Sequence, residues 1–597
     1  MSALLLQEFP SPHRRVDPGA PRPEYPQPQF EREDWLNLNG QWEFEFDDSN
    51  VGVREHWETG RRPFSQNIVV PFCFESPASG IGDPGPHPQA WYRRQFYLPD
   101  HWDQRVLLNF GAVDYRATVW VNGLFCGEHE GGHTPFWFDV TSSLNPGQNT
   151  LTVRVEDPPC DRYIPRGKQH WQEKPESIFY TRTTGIWQTV WLEPVGESYL
   201  DKVRIDANID GVVTFEAKLV NASPDMQFVA TIRRKGRFLS TSMGEVEGSQ
   251  ATGASLIRDP LWWSPDSPNL YDVTFELIKD DVSLDRVHSY FGFRSVAVQD
   301  GRVLLNGAPI YLKMVLDQGY WPESNLTPPS EEAICHDIQM AKDMGFNGVR
   351  KHQKVEDPLF LYWADRMGLL VSAEMANSYM FDGDSVTRLT REWMDVVARD
   401  YNHPSIIVWV PVNESWGIPN VRDRRQQAHL KAMYMLTRSL DGSRLIIDND
   451  GWEHTDSTDL FAIHDYSHDG DAFYERFKSV EEGRIPVPFQ GKLFTAPGNA
   501  YNGSPIFLSE FGGVSYAPPS NPAEENAWGY EGMEDTRAGT LDRIKSLYQG
   551  IAKLPKIVGV CYTQLADVEQ EINGLMTDDR KLKFEPAEIR ALNQLLR

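Results

Sequence analysis

After residue 305, short apolar segments alternate with segments of helical pattern, and this alternation is the strongest constraint on the fold of the chain. Strands that alternate with helices are typical of βαβ units, in which the strands are parallel and each crossover is a helix. We predict eight strands, at residues 310–316, 348–352, 369–374, 406–413, 445–450, 460–465, 506–510 and 557–563. Eight such units over about 290 residues are the size of a (β/α)8 TIM barrel.

The segment between the first two predicted strands has a complete helix signature. Ser330 is a suitable N-cap, and two glutamates follow it in the first turn, where carboxylates favour the positive end of the helix dipole. Gly345 can end the helix. The apolar residues recur at the spacing of one helical face: Ile334, Ile338, Ala341 and Met344.

The residues before the barrel instead show short strands separated by Gly, Pro, Asn and Asp. Predicted strands at 41–46, 91–98, 105–110, 118–122 and 150–155 indicate a β jelly-roll sandwich after a Pro-rich N-terminal arm. A second group, at 203–209, 212–219, 228–233 and 271–278, has the size of an immunoglobulin-like β-sandwich. We therefore divide the chain into arm and jelly roll (1–195), immunoglobulin-like sandwich (196–299) and C-terminal barrel (300–597).

Charge and composition exclude several classes of protein. A net charge of -27 repels phosphate backbones, so we expect no nucleic-acid partner. We find neither the ~18 apolar residues of a membrane span nor the ~7 of a signal peptide, and we expect a cytoplasmic protein without a membrane partner. Five cysteines without a CxxC pair argue against a disulfide framework and a structural zinc site. A homo-oligomer is compatible with the sequence.

Two carboxylates stand where apolar barrel strands end. Glu414 follows the fourth predicted strand and Glu510 ends the seventh. Active sites of such barrels lie at the carboxyl ends of the strands, so the two side chains can converge. A carboxylate at the end of a buried run is costly unless it is paired or used. Paired carboxylates cleave glycosides, one as the acid and the other as the nucleophile in retaining enzymes.

Several motifs carry a resemblance to a known family. The segment DYNHPSIIVWVPVNE (400–414) resembles the acid/base signature of glycoside hydrolase family 2, which includes β-galactosidases, β-glucuronidases and β-mannosidases. Further similar segments are WLNLNG (35–40), VWVNG (119–123), GIW (185–187), FGFR (291–294) and LNG (305–307). The resemblance implies a jelly roll, an immunoglobulin-like sandwich and a (β/α)8 barrel. It also implies that Glu414 is acid/base, that Glu510 is nucleophile and that Asn413 binds the sugar 2-hydroxyl.

The chain also departs from the family pattern. Arg350 remains in the second signature, but Gln353, Lys354 and Val355 replace its His-Tyr-Pro. The stretch 567–580 lacks the Asn-x-Lys pair with which β-glucuronidases of the family bind the sugar carboxylate, which argues against a glucuronidase. Ser378 and Met380 occupy the positions where some family members bind magnesium, so we expect no catalytic metal and no cofactor.

Further polar and aromatic residues at the predicted strand ends are candidates for a sugar pocket, although for each alone a structural role is at least as common. The substrate-binding candidates in the barrel are Asn413, Asp317, Trp321, His352, Glu374, Trp416, Trp452, His454, His464 and Tyr466, with Asp450 and Asp465 beside them. A polar loop of the jelly roll adds Arg166, Lys168 and Gln169, because family members bring such a loop to the barrel mouth.

The sequence thus predicts a retaining exo-acting glycoside hydrolase that removes a terminal β-galactoside-like or related sugar. The same machinery could serve pentopyranosides or furanosides, or transfer the sugar to another acceptor. A carbohydrate-binding protein without activity is the alternative from a different class, since β-sandwiches often bind sugars. Loss of either glutamate would favour that alternative, and both are present.

Overall fold

The computed structural model describes residues 20–485 and 492–596. The N-terminal domain is built from two antiparallel sheets that enclose an apolar core of inward-facing Val, Leu, Phe and Trp side chains. In sheet order, the larger one contains Gln66–Val70, Gly40–Phe46, Gln89–Tyr97, Gln148–Glu156, Arg116–Val121 and Leu124–Glu130. The smaller one contains Leu36–Asn37, Val190–Val195, Arg105–Phe110 and Phe136–Asp139, and Val113–Asp114 pairs separately with Gly185–Ile186.

The second domain is a seven-stranded antiparallel array with its own core. Its strands alternate buried and exposed residues, as expected of a sheet with one face in the core and one in solvent. In sheet order they are Tyr199–Ala207, Val212–Val220, Gln250–Leu256, Arg237–Glu247, Gln227–Arg234, Tyr271–Lys279 and Val282–Phe291. Short strands link it to the barrel: Trp263–Ser264, Ser267–Pro268, Val296–Gln299, Arg302–Leu305 and Ala308–Pro309.

The C-terminal domain contains the predicted eight parallel strands. They are Leu312–Asp317, Gly348–Lys351, Leu370–Glu374, Ile406–Val410, Leu445–Ile446, Phe461–Asp465, Ile506–Gly512 and Ile557–Thr563, here called barrel strands one to eight. Strands one and eight pair in parallel, and strands five and six are the two ends of the hydrogen-bonded order. The sheet is buried on both faces, which explains its continuous apolar runs.

Helices cover the outside of this sheet. The α-helices of the described residues are Glu331–Asp343, Pro358–Met367, Gly383–Asp400, Arg424–Leu440, Gly470–Phe477, Arg537–Ile551 and Pro586–Asn593. Single 3-10 turns lie at Trp57–Thr59, Pro77–Ser79, Thr141–Ser143 and Lys478–Glu482. In the first helix Ser330 accepts a hydrogen bond from the Ala333 amide, as its sequence predicts, and Ile334, Ile338 and Ala341 are buried.

The structure corrects the ends of three predicted barrel strands. Strand seven runs to Gly512, so Glu510 lies within the strand rather than at its end. Strand four stops at Val410 rather than 413, because Pro411 has no N–H with which to continue the ladder. Strand five is only Leu445–Ile446 rather than 445–450, because Asp448 accepts hydrogen bonds from Thr455 and turns the chain. Of the predicted loop at 486–502, residues 486–491 lie outside the described residues. The remainder pairs with the chain after strand five, where the His454 amide donates to the Phe494 carbonyl.

The N-terminal arm lies partly outside the described residues, and its described part joins the three domains. Arg22 forms a buried ion pair of 2.9 Å with Asp357 of the barrel. Arg32 pairs with Glu193 of the jelly roll at 3.0 Å and with Asp285 of the second domain at 2.9 Å. Because removal of one partner would leave a buried charge unpaired, these contacts hold the domains in one arrangement.

Candidate active site

The two candidate catalytic carboxylates face each other at the barrel mouth. Glu510 lies within strand seven and is 4% exposed, whereas Glu414 lies in the turn after strand four with φ of +49°. That left-handed conformation is uncommon for a residue with a side chain and is held here by a 2.8 Å hydrogen bond from the Glu414 amide to the Asp450 carbonyl. A carboxylate oxygen of Glu414 comes within 4.8 Å of one of Glu510.

Both oxygens of the Glu510 carboxylate accept hydrogen bonds. Arg350 Nη1 donates to Oε1 at 2.9 Å, and the Tyr466 hydroxyl donates to Oε2 at 2.5 Å. The Tyr466 ring stacks on Tyr530 with centroids 3.5 Å apart, which fixes the direction of its hydroxyl. A hydrogen bond to an ionised group is roughly twice as strong as a neutral one, so this carboxylate is fixed in position.

Arg350 is the centre of the hydrogen-bonded network beneath the site. From strand two it also donates to Glu374 at 2.8 Å and to the side-chain oxygen of Asn413 at 2.6 Å. The second contact orients the Asn413 amide, whose buried Nδ2 group has no protein partner among the described residues. We did not predict Arg350 as a site residue, although a charged residue in a wholly buried strand is a recognisable signal.

His464 on strand six connects both catalytic carboxylates. Its Nδ1 lies 2.8 Å from Glu414 Oε1, and its Nε2 lies 2.9 Å from Asp450 Oδ1 and 3.4 Å from Glu510 Oε1. Both ring nitrogens are therefore occupied by carboxylates rather than free for a sugar. Burial alone would lower the pKa of His464, but the charge of Glu510 and the bonds to Asp450 and Glu414 raise it to about 10.

The hydrogen bond from His464 also acts on Glu414. Burial favours the neutral carboxyl, but the bond and charge of His464 outweigh it and hold the pKa of Glu414 below its usual range. The pKa of Glu374, which lies deeper, is shifted upward instead. Burial raises it to about 7, although the charge of Arg350 opposes this shift. His352 stays neutral because burial and the charge of Arg350 lower its pKa, and its Nδ1 lies 3.9 Å from Glu510 Oε1.

A loop of the jelly roll, residues 161–180, reaches the barrel mouth. The amides of Arg166 and Gly167 donate to the Asn377 carbonyl at 3.2 and 3.1 Å. Gly167 has φ of +58°, and a Cβ there would lie 2.3 Å from the Gln353 carbonyl oxygen, so only glycine permits this close approach. The N-terminal domain thus forms one wall of the site.

Lys168, the next residue of this loop, is 6% exposed. No ion pair or hydrogen bond of its ammonium group occurs within the described part of the chain, and its nearest rings are Phe179 and Tyr180 at 5.8 and 5.6 Å. Burial lowers the pKa of Lys168, and the charges of Glu571, Glu510 and Glu414 oppose that shift. An unpaired buried ammonium beside the catalytic carboxylates is suited to a substrate oxygen.

Aromatic side chains line the same entrance. Trp416, just after Glu414, packs edge-on against Tyr379 at 4.9 Å and Phe179 at 6.0 Å. Its ring N–H is buried and finds no partner among residues 20–485 and 492–596. Trp452 lies edge-on to His464 at 5.3 Å. The structure therefore brings together Asn413, His352, Glu374, Trp416, Trp452, His464, Tyr466 and Lys168 of the predicted set.

The other predicted binding residues are engaged within the protein. Asp317 accepts from Lys351 at 2.5 Å and from the Gly319 amide at 2.8 Å, and Trp321 lies under the Arg580 guanidinium at 3.9 Å.

Three further candidates use their polar atoms internally. His454 Nδ1 bonds Asp448 and its Nε2 bonds a backbone carbonyl, both at 2.7 Å. Gln169 donates to Asp114 at 2.7 Å, and Arg166 donates to the carbonyls of Asp161 and Pro158. These five residues hold the walls of the site, and their contact with substrate stays a prediction.

Glu414, His464 and Glu510 are also close enough together to suggest a cation site. His464 already bonds carboxylates through both nitrogens, so we interpret the group as a hydrogen-bonded network. Ser378 donates to the Met380 carbonyl at 3.3 Å. The expectation of a metal-independent site stays a prediction.

Within residues 20–485 and 492–596, no α-helix combines the length and the apolar character that a membrane span requires.

A parallel barrel with two facing carboxylates, preceded by two β-sandwiches, is the arrangement expected of a barrel-type glycoside hydrolase. Three family models match the chain in succession: the sugar binding domain of glycosyl hydrolases family 2 at residues 36–192, the family 2 model at 189–294 and the family 2 TIM barrel domain at 296–519. The chain therefore belongs to glycosyl hydrolase family 2.

Relatives of known name resemble the chain at moderate identity. A β-galactosidase of Thermoanaerobacter pseudethanolicus is 27% identical over 403 residues, which are 64% of this chain and 51% of the relative. A putative β-glucuronidase of Formosa agariphila is 27% identical over 407 residues, which are 64% of this chain and 37% of the relative. The chain spans about half or less of the length of these curated relatives.

Solved structures share the fold. The β-glucuronidase of Bifidobacterium dentium, complexed with coumarin-3-O-glucuronide, superposes with a TM-score of 0.77 at 19% identity, covering 96% of this chain and 98% of the other. A family 2 β-galacturonidase of Eisenbergiella tayi gives a TM-score of 0.72 at 20% identity, covering 95% and 98%. At these identities the likeness concerns the fold alone.

Proposed function

We propose that the protein is a retaining, exo-acting β-glycosidase with Glu510 as nucleophile and Glu414 as general acid/base. The observation that carries the proposal is the approach of the two carboxylates to within 4.8 Å. Retaining glycosidases place these groups about 5–5.5 Å apart, whereas inverting enzymes leave about 6.5–9.5 Å for a water molecule. The close pair favours direct attack on the anomeric carbon.

In the first half-reaction Glu510 attacks the anomeric carbon while the bond to the leaving oxygen breaks. Arg350 and Tyr466 hold the Glu510 carboxylate in place for that attack. Glu414 passes a proton to the leaving oxygen, and in the second half-reaction takes one from water. The glycosyl ester of Glu510 is then hydrolysed with net retention of configuration.

The charges of the site favour an uncharged sugar. Five carboxyl groups lie in or beneath the site, those of Glu374, Glu414, Asp450, Glu510 and Glu571, and the basic groups beside them are Arg350, Lys168 and His464. A uronate would add a negative charge to this excess. We therefore favour a neutral β-galactoside-like substrate, as the name of the Thermoanaerobacter relative suggests, over the uronides of the structurally similar enzymes.

Besides the Trp416 ring N–H, two unpartnered donors are available to such a sugar. Asn413 Oδ1 and Glu510 Oε1 both accept hydrogen bonds from Arg350, and the unpartnered Asn413 Nδ2 can bind the 2-hydroxyl, as the family resemblance implies. Lys168 can bind a hydroxyl from the jelly-roll side. A loop from another domain narrows the mouth of the site, which supports removal of single terminal residues rather than cleavage within a chain.

The proposal is tested with activated 2-fluoro glycosides of the β-galactosyl, β-glucuronyl and pentopyranosyl series. One neutral sugar should inactivate the enzyme and label Glu510, which peptide mass spectrometry identifies, and Glu510→Gln should be neither labelled nor active but melt near the wild-type temperature. Preferential labelling by the glucuronide would overturn the substrate assignment. Binding of sugars without labelling or turnover of any glycoside would favour a carbohydrate-binding protein instead.

A further inference from the structure

His464 occupies an unusual position in this site, because one buried imidazole touches both candidate catalytic carboxylates. It lies 2.8 Å from Glu414 through Nδ1 and 3.4 Å from Glu510 through Nε2, and it is 0% exposed. Asp450 holds Nε2 at 2.9 Å and is itself fixed by the Ser509 hydroxyl. No water or sugar can reach either ring nitrogen while these bonds persist.

We infer that His464 is a positioning residue that stores the catalytic proton of Glu414 between the two half-reactions. The inference rests on the proposed function, since it concerns the proton that Glu414 must give and recover. Three carboxylates face the imidazole, those of Glu414, Asp450 and Glu510. Arg350 Nη1, 3.3 Å from Nε2, is the opposing positive charge. The excess of negative charge keeps the imidazole protonated, and its pKa is raised accordingly.

The proton balance follows from these contacts. In the free enzyme His464 is an imidazolium, and Glu414 and Glu510 are carboxylates. As Glu510 bonds to the anomeric carbon it becomes a neutral ester, so one of the three charges that stabilise the imidazolium disappears. His464 then passes its Nδ1 proton to Glu414 Oε1, which passes a proton to the leaving oxygen. When water attacks, Glu414 takes its proton and returns one to His464, and Glu510 leaves as a carboxylate.

This arrangement predicts an active protonation state that extends to alkaline pH. The basic limb of kcat/KM reports the group that must stay protonated in the free enzyme. In the wild type that group is the His464–Glu414 pair, so the limb should lie near the pKa of His464, about 10. In His464→Gln, Glu414 alone must hold the proton, and a Glu beside a second carboxylate titrates at about 6–7.

The test is the pH profile of kcat/KM on the neutral glycoside that labels Glu510. We expect the basic limb of His464→Gln to lie about three to four pH units below that of the wild type, with activity within about tenfold of wild type at pH 5–6 and collapse above pH 8. His454→Gln is the matched control, since His454 is equally buried and also bonds an aspartate, but not a catalytic carboxylate. Its basic limb should stay at the wild-type pH even if its melting temperature falls.

A second variant keeps the test decisive if His464→Gln does not fold. Asp450→Asn retains the imidazole but removes one of its three anionic neighbours. Its basic limb should therefore lie at a pH between those of the wild type and His464→Gln. Lys168→Met tests whether Lys168, a buried base of the site whose pKa is lowered, sets the basic limb instead. We expect the limb of Lys168→Met to stay at the wild-type pH. The inference is overturned if kcat/KM of His464→Gln falls by the same factor at every pH, or if the basic limb of Asp450→Asn stays at the wild-type pH. Labelling of Glu510 at pH 6 in the same variants shows separately whether the retaining mechanism stands.

Discussion

The contact between Tyr466 and the candidate nucleophile gives a prediction that can be worked out step by step. Tyr466→Phe removes only the hydroxyl that donates to Glu510 Oε2 at 2.5 Å, and it keeps the ring that stacks on Tyr530. A hydrogen bond to an ionised group contributes about 1.5–3 kcal/mol, and every 1.36 kcal/mol is a factor of ten in rate. If the full bond is regained only as Glu510 departs, deglycosylation should slow about 10- to 150-fold.

The two half-reactions should respond differently. In glycosylation Glu510 loses charge, so a missing donor costs little there. In deglycosylation Glu510 regains its charge and needs the donor. With a dinitrophenyl glycoside, whose leaving group needs no acid, the covalent intermediate should accumulate. We expect a burst of dinitrophenol equal to the enzyme concentration, a fall in kcat and a parallel fall in KM, with kcat/KM nearly unchanged. Mass spectrometry of the quenched reaction should find the glycosylated peptide of Glu510.

Tyr562→Phe is the matched control. Tyr562 is also buried in the barrel and packs against Phe511, but its hydroxyl has no partner among the described residues. It should give neither a burst nor a fall in kcat. If Tyr466→Phe instead lowers kcat and kcat/KM equally without a burst, Tyr466 does not act on the departing carboxylate and the geometry around Glu510 has been misinterpreted.

Three further results are expected. Glu414→Ala should keep the glycosylation step with dinitrophenyl glycosides and lose it with natural glycosides. Azide should restore its turnover and give a β-glycosyl azide as product, whereas uniform loss without rescue would assign Glu414 a structural role. EDTA should leave the rate unchanged, because Ser378 and Met380 replace the residues with which, by the family resemblance, some members bind magnesium. A rate lost with chelator and restored by magnesium would contradict this. Lys168→Met should raise KM about 10- to 150-fold with a smaller change in kcat, as expected for the loss of one charged hydrogen bond to substrate, while Lys168→Arg should recover part of it.

The fold could be predicted largely from the sequence because it depends on local pattern. The alternation of apolar strands and capped helices after residue 305 already defines eight βα units. The errors occur where a side chain overrides that pattern. Pro411 ends strand four early, and Asp448 binds the chain that follows strand five. Strands such as Arg237–Glu247 and Gln250–Leu256 were missed because their alternation is carried by small and polar residues.

The candidate site was only partly predictable for a related reason. Glu414 and Glu510 stand out in the sequence because a carboxylate at the end of a predicted buried strand is costly unless it is paired or takes part in function. The sequence could not show which polar groups would bond to one another. His464 and His454 look alike in the sequence, yet the first bonds Glu414 and the second bonds Asp448.

The sequence by itself thus determined the order of the domains, the parallel barrel and the two candidate glutamates, because these follow from periodicity and from the cost of burying charge. Only the tertiary structure decided that Arg350 and Tyr466 donate hydrogen bonds to Glu510. It also decided that His464 contacts both Glu510 and Glu414, and that Lys168 of the jelly roll lies in the barrel site. Some of these contacts join residues more than a hundred positions apart, and the others depend on the direction of a side chain. Which of several buried polar groups form a hydrogen bond is therefore set by tertiary packing.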